Sequence, residues 1–281
     1  MSTVHRPPTA VVRPLRAVLG IVVTVLTATA LAGCGGEGQQ NTTTKERRGG
    51  AAPSPTASAA PSSSRPVGAL PDAYDFTPAP ERIPRTAAQA RVLTRNASLT
   101  PADWSPGMVR HDPYELAGTW PVLPDTCVWT RAGLPEGVLD SYSRRIDLPA
   151  EDGKGRVQGS VTVTVHRDDA SADRELKDTV QESFRCPVQD LGGGQQLHGL
   201  MSMHLDPKDV KHADATLFEA GTYSGPSSEG AQSYVWTKSR IGPVTTAVSV
   251  KGATGYTASD LMRLAAEAGA KMLYRVELAL K

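Results

Sequence analysis

From Gly35 to about Arg85 the chain has almost no apolar periodicity. Gly35, Gly36, Gly38, Gly49 and Gly50 are followed by an Ala/Pro/Ser tract from Ala51 to Pro66. Such a run buries too little apolar surface to offset the entropy of ordering it. It therefore reads as a flexible to semi-extended tether, and only residues 86–281 remain to build a core large enough for a stable domain. Composition agrees: aromatics are 5% of the chain, with 26 Gly and 22 Pro. That suits one globular domain plus a long unstructured segment.

Upstream of the tether, Arg6, Arg13 and Arg16 precede an uncharged apolar stretch from Ala17 to Ala32. The stretch is short for a bilayer span of about 20 residues. A basic flank, a short apolar core and then small residues are the layout of an export signal. Leu31-Ala32-Gly33-Cys34 resembles a bacterial lipobox, in which the Cys thiol receives a diacylglyceryl group and becomes the new N-terminus. The expected organisation is therefore a signal peptide over 1–33, a lipidated tether over 34–85, and an extracytoplasmic domain over 86–281. Cys34 is the lipidation site. Two or more acyl chains, palmitate among them, would hold the membrane stably where one is marginal. The expected address is the outer face of the cytoplasmic membrane in a Gram-positive-type envelope. A coil of about 50 residues spans roughly 40 Å and would lift the domain off the membrane. Loss of residues 1–33 takes the basic count from 30 to 27 against 29 acids, a net charge of about −2. No strong positive field points to nucleic acid.

In the remaining chain, Thr86 to Asn96 predicts a helix with Ala87, Ala90, Leu93 and Ala97 at near-helical spacing. Thr100-Pro101-Ala102-Asp103 predicts a short capped helix start, followed by a Pro/Gly-rich loop. Cys127 to Ala132 predicts a short strand. Val138 to Leu148 pairs with Val157 to Arg167 as a hairpin, with Val157, Val161, Val163 and Val165 on one face. Asp168-Asp169 open a helix through about Arg185, with Ala172, Leu176, Val180 and Phe184 as its apolar stripe. Strands follow near 197–205, 215–223, 232–239 and 244–250, with a turn at Ile241-Gly242-Pro243. A last helix runs from about Ser259 to Leu280. The class is α+β: a mostly antiparallel twisted sheet with two long helices on one face, its Thr/Ser-rich face left to solvent or a partner.

With Cys34 lipidated, Cys127 and Cys186 form an even pair in an oxidising compartment, and a disulfide is expected; two buried thiols are the alternative. No Gly-x-Ser-x-Gly, His-Glu-x-x-His or phosphate-binding loop motif occurs, so no catalytic residue and no cofactor is assigned. His198, Met201, Met203, His204 and His212 have copper-like chemistry. Strand alternation places the Met and His on opposite sides, so they read as core Met and exposed His, and no metal is assigned. Asp168, Asp169, Asp173 and Glu175 read as helix-start acids. Trp129 and Trp236 fall on predicted strands and read as core, whereas Trp120 is the exposed candidate for ligand contact.

Across residues 92–281 the order of features resembles the extracellular sensor domains of mycobacterial receptor Ser/Thr kinases and their actinobacterial lipoprotein relatives. The likeness runs from Leu-Thr-Pro-Ala-Asp-Trp at 99–104, through Cys127-Val128-Trp129 and a Val-rich strand, to a helix ending at Cys186, a sheet and a C-terminal helix. That domain has two disulfides where this chain has Cys for one, and no kinase region follows here. The resemblance implies a cleft-bearing α+β domain outside the cell, and no ligand-contacting residue carries over from it. The favoured reading is a non-enzymatic binding or sensor-like domain for a small molecule, glycan, lipid or envelope protein. An envelope enzyme and an assembly partner are the alternatives.

Overall fold

The computed structural model describes residues 75–206, 210, 212–226 and 228–281. The expected signal peptide, Cys34 and most of the expected tether lie outside the described residues. No described helix is long and apolar enough to cross a membrane.

The described residues form four helices and ten strands, with the expected α+β character. Helix α1 (Ala87–Ala97) starts at a capping box in which Thr86 and Gln89 satisfy each other's backbone N–H. Helix α2 (Pro101–Trp104) repeats the device with Thr100 and Asp103. Strands β1 (Val109–Ala117), β4 (Val138–Leu148), β5 (Val157–His166), β6 (Val188–Gly192), β7 (Gln195–Leu205), β8 (Ala215–Ser224), β9 (Gln232–Ile241) and β10 (Val244–Lys251) form one sheet. Its order is β1-β4-β5-β10-β9-β8-β7-β6, antiparallel at every pairing. Strands β2 (Thr119–Val122) and β3 (Thr130–Gly133) make a separate two-stranded arm. Helix α3 (Asp169–Arg185) joins β5 to β6, and α4 (Ala258–Leu280) ends the chain.

Register gives the sheet two unlike faces. Val161, Val163 and Val165 of β5 share a side with Val244, Val248 and Val250 of β10 and Val235 of β9, and all are buried. Against them lies the stripe Leu261, Leu264, Ala265, Ala268, Met272 and Val276 of α4, all at most 3% exposed. Helix α1 packs beside it on β4 and β5. Trp104 is wholly buried in this layer, its indole N–H donating to Leu264 C=O at 3.0 Å. Gly159 makes room for it: a Cβ there would stand 2.6 Å from the Trp104 ring.

The two long helices, expected together, divide between the faces. α4 covers the Val face, while α3 contacts β5, β7, β9 and β10 from the Thr/Ser side. Its inward residues are polar, so it matches the polar face. The stripe read on α3 also turns out of contact: Ala172 and Leu176 are buried, but Phe184 is 74% exposed. A spacing of four overshoots the turn of 3.6 residues by about 40° per step, which carries the third step to the far side.

Three strands escaped the sequence reading. β1 and β6 are the sheet's edges, and β1 and β2 contain Pro113 and Pro121 where a loop was expected. Edge strands tolerate proline because one row of their N–H groups needs no partner. The expected strand at Cys127 begins only at Thr130, because Cys127 adopts a left-handed φ of 57°. The domain also begins ahead of residue 86. Phe76 packs against the core, and Ala79 N–H donates to Leu280 C=O at 2.8 Å.

Candidate functional site

The Thr/Ser face of the sheet is the floor of a cleft of about 710 Å³. Its floor is written in rows by the strand register. Ser141, Thr164 and Thr245 stand in one row, and Ser143, Thr162 and Ala247 in the next. Hydroxyls pair along these rows, Ser141 with Thr164 at 3.0 Å and Ser143 with Thr162 at 2.7 Å. A ladder of small paired hydroxyls keeps the floor shallow and polar.

One wall is α3, clamped to the floor by Glu175. Its Oε1 accepts from Lys238 Nζ at 2.5 Å, and its Oε2 from Thr245 Oγ1 and His166 Nε2, both at 2.9 Å. Burial pushes the Glu175 carboxyl up, but the Lys238 ammonium and the His166 hydrogen bond outweigh it and hold it at about 2. Glu175 is thus more than the helix-start acid expected of it. His166 meets both Glu175 and Thr245 through the same nitrogen, Nε2. A nucleophile relay needs the two imidazole nitrogens to serve different partners, so this cluster fastens the helix and does not form a triad.

The other wall is the β2–β3 arm. A Cys127–Cys186 disulfide, closing a separation of 59 residues, ties the loop ahead of β3 to the end of α3. Arg185 reinforces it with an ion pair to Asp125 at 2.9 Å. Trp129 is latched twice to β6: its N–H donates to Asp190 C=O and its indole N–H to Gln189 Oε1, both at 2.8 Å.

Trp120, the candidate from sequence, lines the cleft, its ring edge-on to His166 at 6.3 Å. Trp129 and Trp236, expected in the core, line it too and are only partly buried. Trp236 is on the polar face of β9 and Trp129 on the latched arm, so both were displaced from the core by register and by the disulfide. Leu197, Tyr223 and Tyr234 make a small second apolar cluster beneath Trp236.

Acids missed by the sequence reading complete the site. Burial lifts the Glu182 carboxyl to about 7, against the pull of Lys238 and Arg185. Burial also raises Glu219, opposed by a hydrogen bond from Ser202 Oγ at 2.5 Å. Burial and the neighbouring Glu219 push the Tyr234 phenol well above its ordinary range. Alternation puts Ser141, Ser143, Arg145 and Asp147 of β4 on one side, but a polar face of that kind is equally what water would meet, so it carried no signal for these acids.

The sulfur and imidazole residues of β7 do not join this site. A bulge between His198 and Met201 shifts the register, so His198 shares a side with Met201 and Met203, and His204 takes the other. Met201 and Met203, expected in the core, are 60% and 41% exposed because α4 covers β9 and β10 and stops short of β7. Among the described residues no group of three or more His, Cys, Asp or Glu converges as metal ligands.

No family model matches the chain. No curated protein matches it either. Among solved structures, the extracellular domain of PknH from Mycobacterium tuberculosis is similar at 14% identity and a TM-score of 0.43. The match covers 69% of this chain and 98% of that one.

Proposed function

We propose that this chain is an exported lipoprotein held by lipid on Cys34 at the outer face of the cytoplasmic membrane, and that its domain is a sensor-like binding module. Residues 34 to about 75 serve as the tether. The cleft takes a small molecule or a glycan segment. The observation that carries this reading is the convergence of Trp120, Trp129 and Trp236 over a floor of paired hydroxyls. Indole faces stack on apolar or sugar-ring surfaces, while hydroxyls and carboxylates fix orientation. The two halves of the reading have separate tests. Cys34→Ala should leave unprocessed precursor without acyl label; normal labelling of that variant would refute the anchor. Native mass spectrometry of the protein purified gently from its own host should show a retained mass that Trp236→Ala loses. An empty wild-type domain whose Trp emission is also unmoved by host envelope extract would sink the binding reading.

A second reading, an acid–base enzyme acting on envelope material, is favoured by the raised carboxyls of Glu182 and Glu219 in the same cleft. Under it, Glu182→Gln and Glu219→Gln variants should retain larger, uncleaved material than the wild type does. Identical retained masses would leave the binding reading alone.

A further inference from the structure

The cleft is lined by charges of both signs. Asp178 and Glu182 reach it from α3, and Glu219 stands on β8 in the same cross-strand row as Trp236, Ser249, Ser160 and Arg145. Lys251, Gln158 and Asp147 form the next row across β10, β5 and β4. Arg131 of β3 lines the same cleft and is close enough to Arg145 for the two cations to repel.

None of these three cations makes a direct ion pair among the described residues, although Asp147 attracts both Arg145 and Lys251. Arg145 Nη2 donates to His111 Nε2 at 2.7 Å. Lys251 Nζ donates to Gln195 Oε1 at 2.9 Å and lies 5.2 Å from the centre of the Tyr223 ring. Arg131 Nη1 donates to Thr119 Oγ1 at 2.9 Å. The nearby carboxylate, Asp147, is taken up by His111 and Arg156. Other shielded cations of the domain do have carboxylates: Lys238 has Glu175, Arg240 has Asp214 and Arg275 has Asp103. Arg131 is exposed, whereas Arg145 and Lys251 are partly buried; a partly desolvated charge without a direct partner is unfavourable, and such groups cluster at functional sites. Burial, with Arg145 adding repulsion, draws the Lys251 ammonium down to about 8.

This part of the cleft is also preorganised. His111 bridges the two charges: its Nε2 lies 2.7 Å from Arg145 Nη2, and its Nδ1 lies 2.7 Å from Asp147 Oδ2 and 3.2 Å from Arg156 Nη2. Asp147 is 1% exposed, and through His111 it holds Arg145 against the floor. Beside it Gln158 Oε1 and Asp147 Oδ1 are buried with no hydrogen-bond partner.

We propose that this part of the cleft, built by Arg145, Lys251 and Arg131, is an anion subsite that takes a carboxylate or phosphate group borne by a hydroxylated ligand. The proposal rests on the ligand-binding reading above and narrows it to an acidic ligand.

The test uses the purified full-length protein with inorganic phosphate and acetate as probes, followed by calorimetry at constant ionic strength held with chloride. One of the two anions should bind saturably at one site, and which one does identifies the group. Binding should weaken at least tenfold in Arg145→Gln and in Lys251→Met, and stay unchanged in Lys177→Gln, whose lysine is exposed on α3. The unmodified protein gives a second readout: the bound anion should slow acylation of Lys251 relative to Lys177. Absence of saturable binding above chloride, or binding with no protection of Lys251, overturns the subsite. A neutral host molecule retained by the wild type and lost in Trp236→Ala, with no anion binding, would overturn the subsite and leave the ligand-binding reading standing.

Discussion

Gly159 shows how much one residue can decide. Its missing side chain is the space filled by the Trp104 ring, and the Ile146 carbonyl stands only 2.7 Å from where a Cβ would be. Gly159→Ala should therefore destabilise the domain by about 1–3 kcal/mol, as overpacking does, read as a lowered urea midpoint with the slope unchanged. Glu182 is a second case, and here the sign follows from the direction of the shift. Its carboxyl rises from 4.5 to about 7 on folding. The folded state thus binds the proton more tightly, and this group's contribution to stability is lost as pH rises from 4.5 through 7. Glu175 runs the other way: its carboxyl is held at about 2, so its contribution is lost as pH falls below 4.5. In Glu182→Gln the decline between pH 4.5 and 7 should flatten in urea titrations while the acid limb persists. Neither role was legible in sequence, because Gly159 and Glu182 acquire them only from atoms far away in the chain.

Elements with a one-sided apolar rhythm were readable, and those without it were not. The Val alternation of β5 and β10 and the stripe of α4 each mark a surface that must be buried somewhere, so local pattern and final contact agree. β1, β2 and β6 lack such a rhythm, since edges and arms bury little. α3 is the instructive failure: its inward face is made of Glu175, Thr179 and Glu182, a pattern that elsewhere would face water. It is held across the polar face by the Glu175 clamp near its middle and the disulfide at its end. Cys127→Ser and Cys186→Ser should each lower stability by the same amount, up to roughly 4 kcal/mol by the chain-entropy model, with little further loss in the double variant. Additive losses in chemical denaturation would argue against a shared bridge.

At the scale of the whole molecule, the contact of Phe76 and Ala79 with the core shows that the folded body includes residues ahead of 86. Limited proteolysis should leave a stable fragment starting near residue 75, identified by mass spectrometry; a resistant product retaining residues 40–70 would contradict the tether. Composition set the expected change from linker to domain near residue 85, because apolar content is a local quantity. Local pattern likewise determined the α+β class, most of the strands, the capped helix starts and the pairing of Cys127 with Cys186, each of which depends on residues near in sequence or on simple parity. The cleft is different. It exists only because the sheet sets residues from β4, β5, β10 and β9 side by side in rows, and because α3 and the β2–β3 arm close over them. Which tryptophans line the cleft, and which cations lack a direct ion pair, are facts about neighbours in space, and those were decided by strand register and the disulfide.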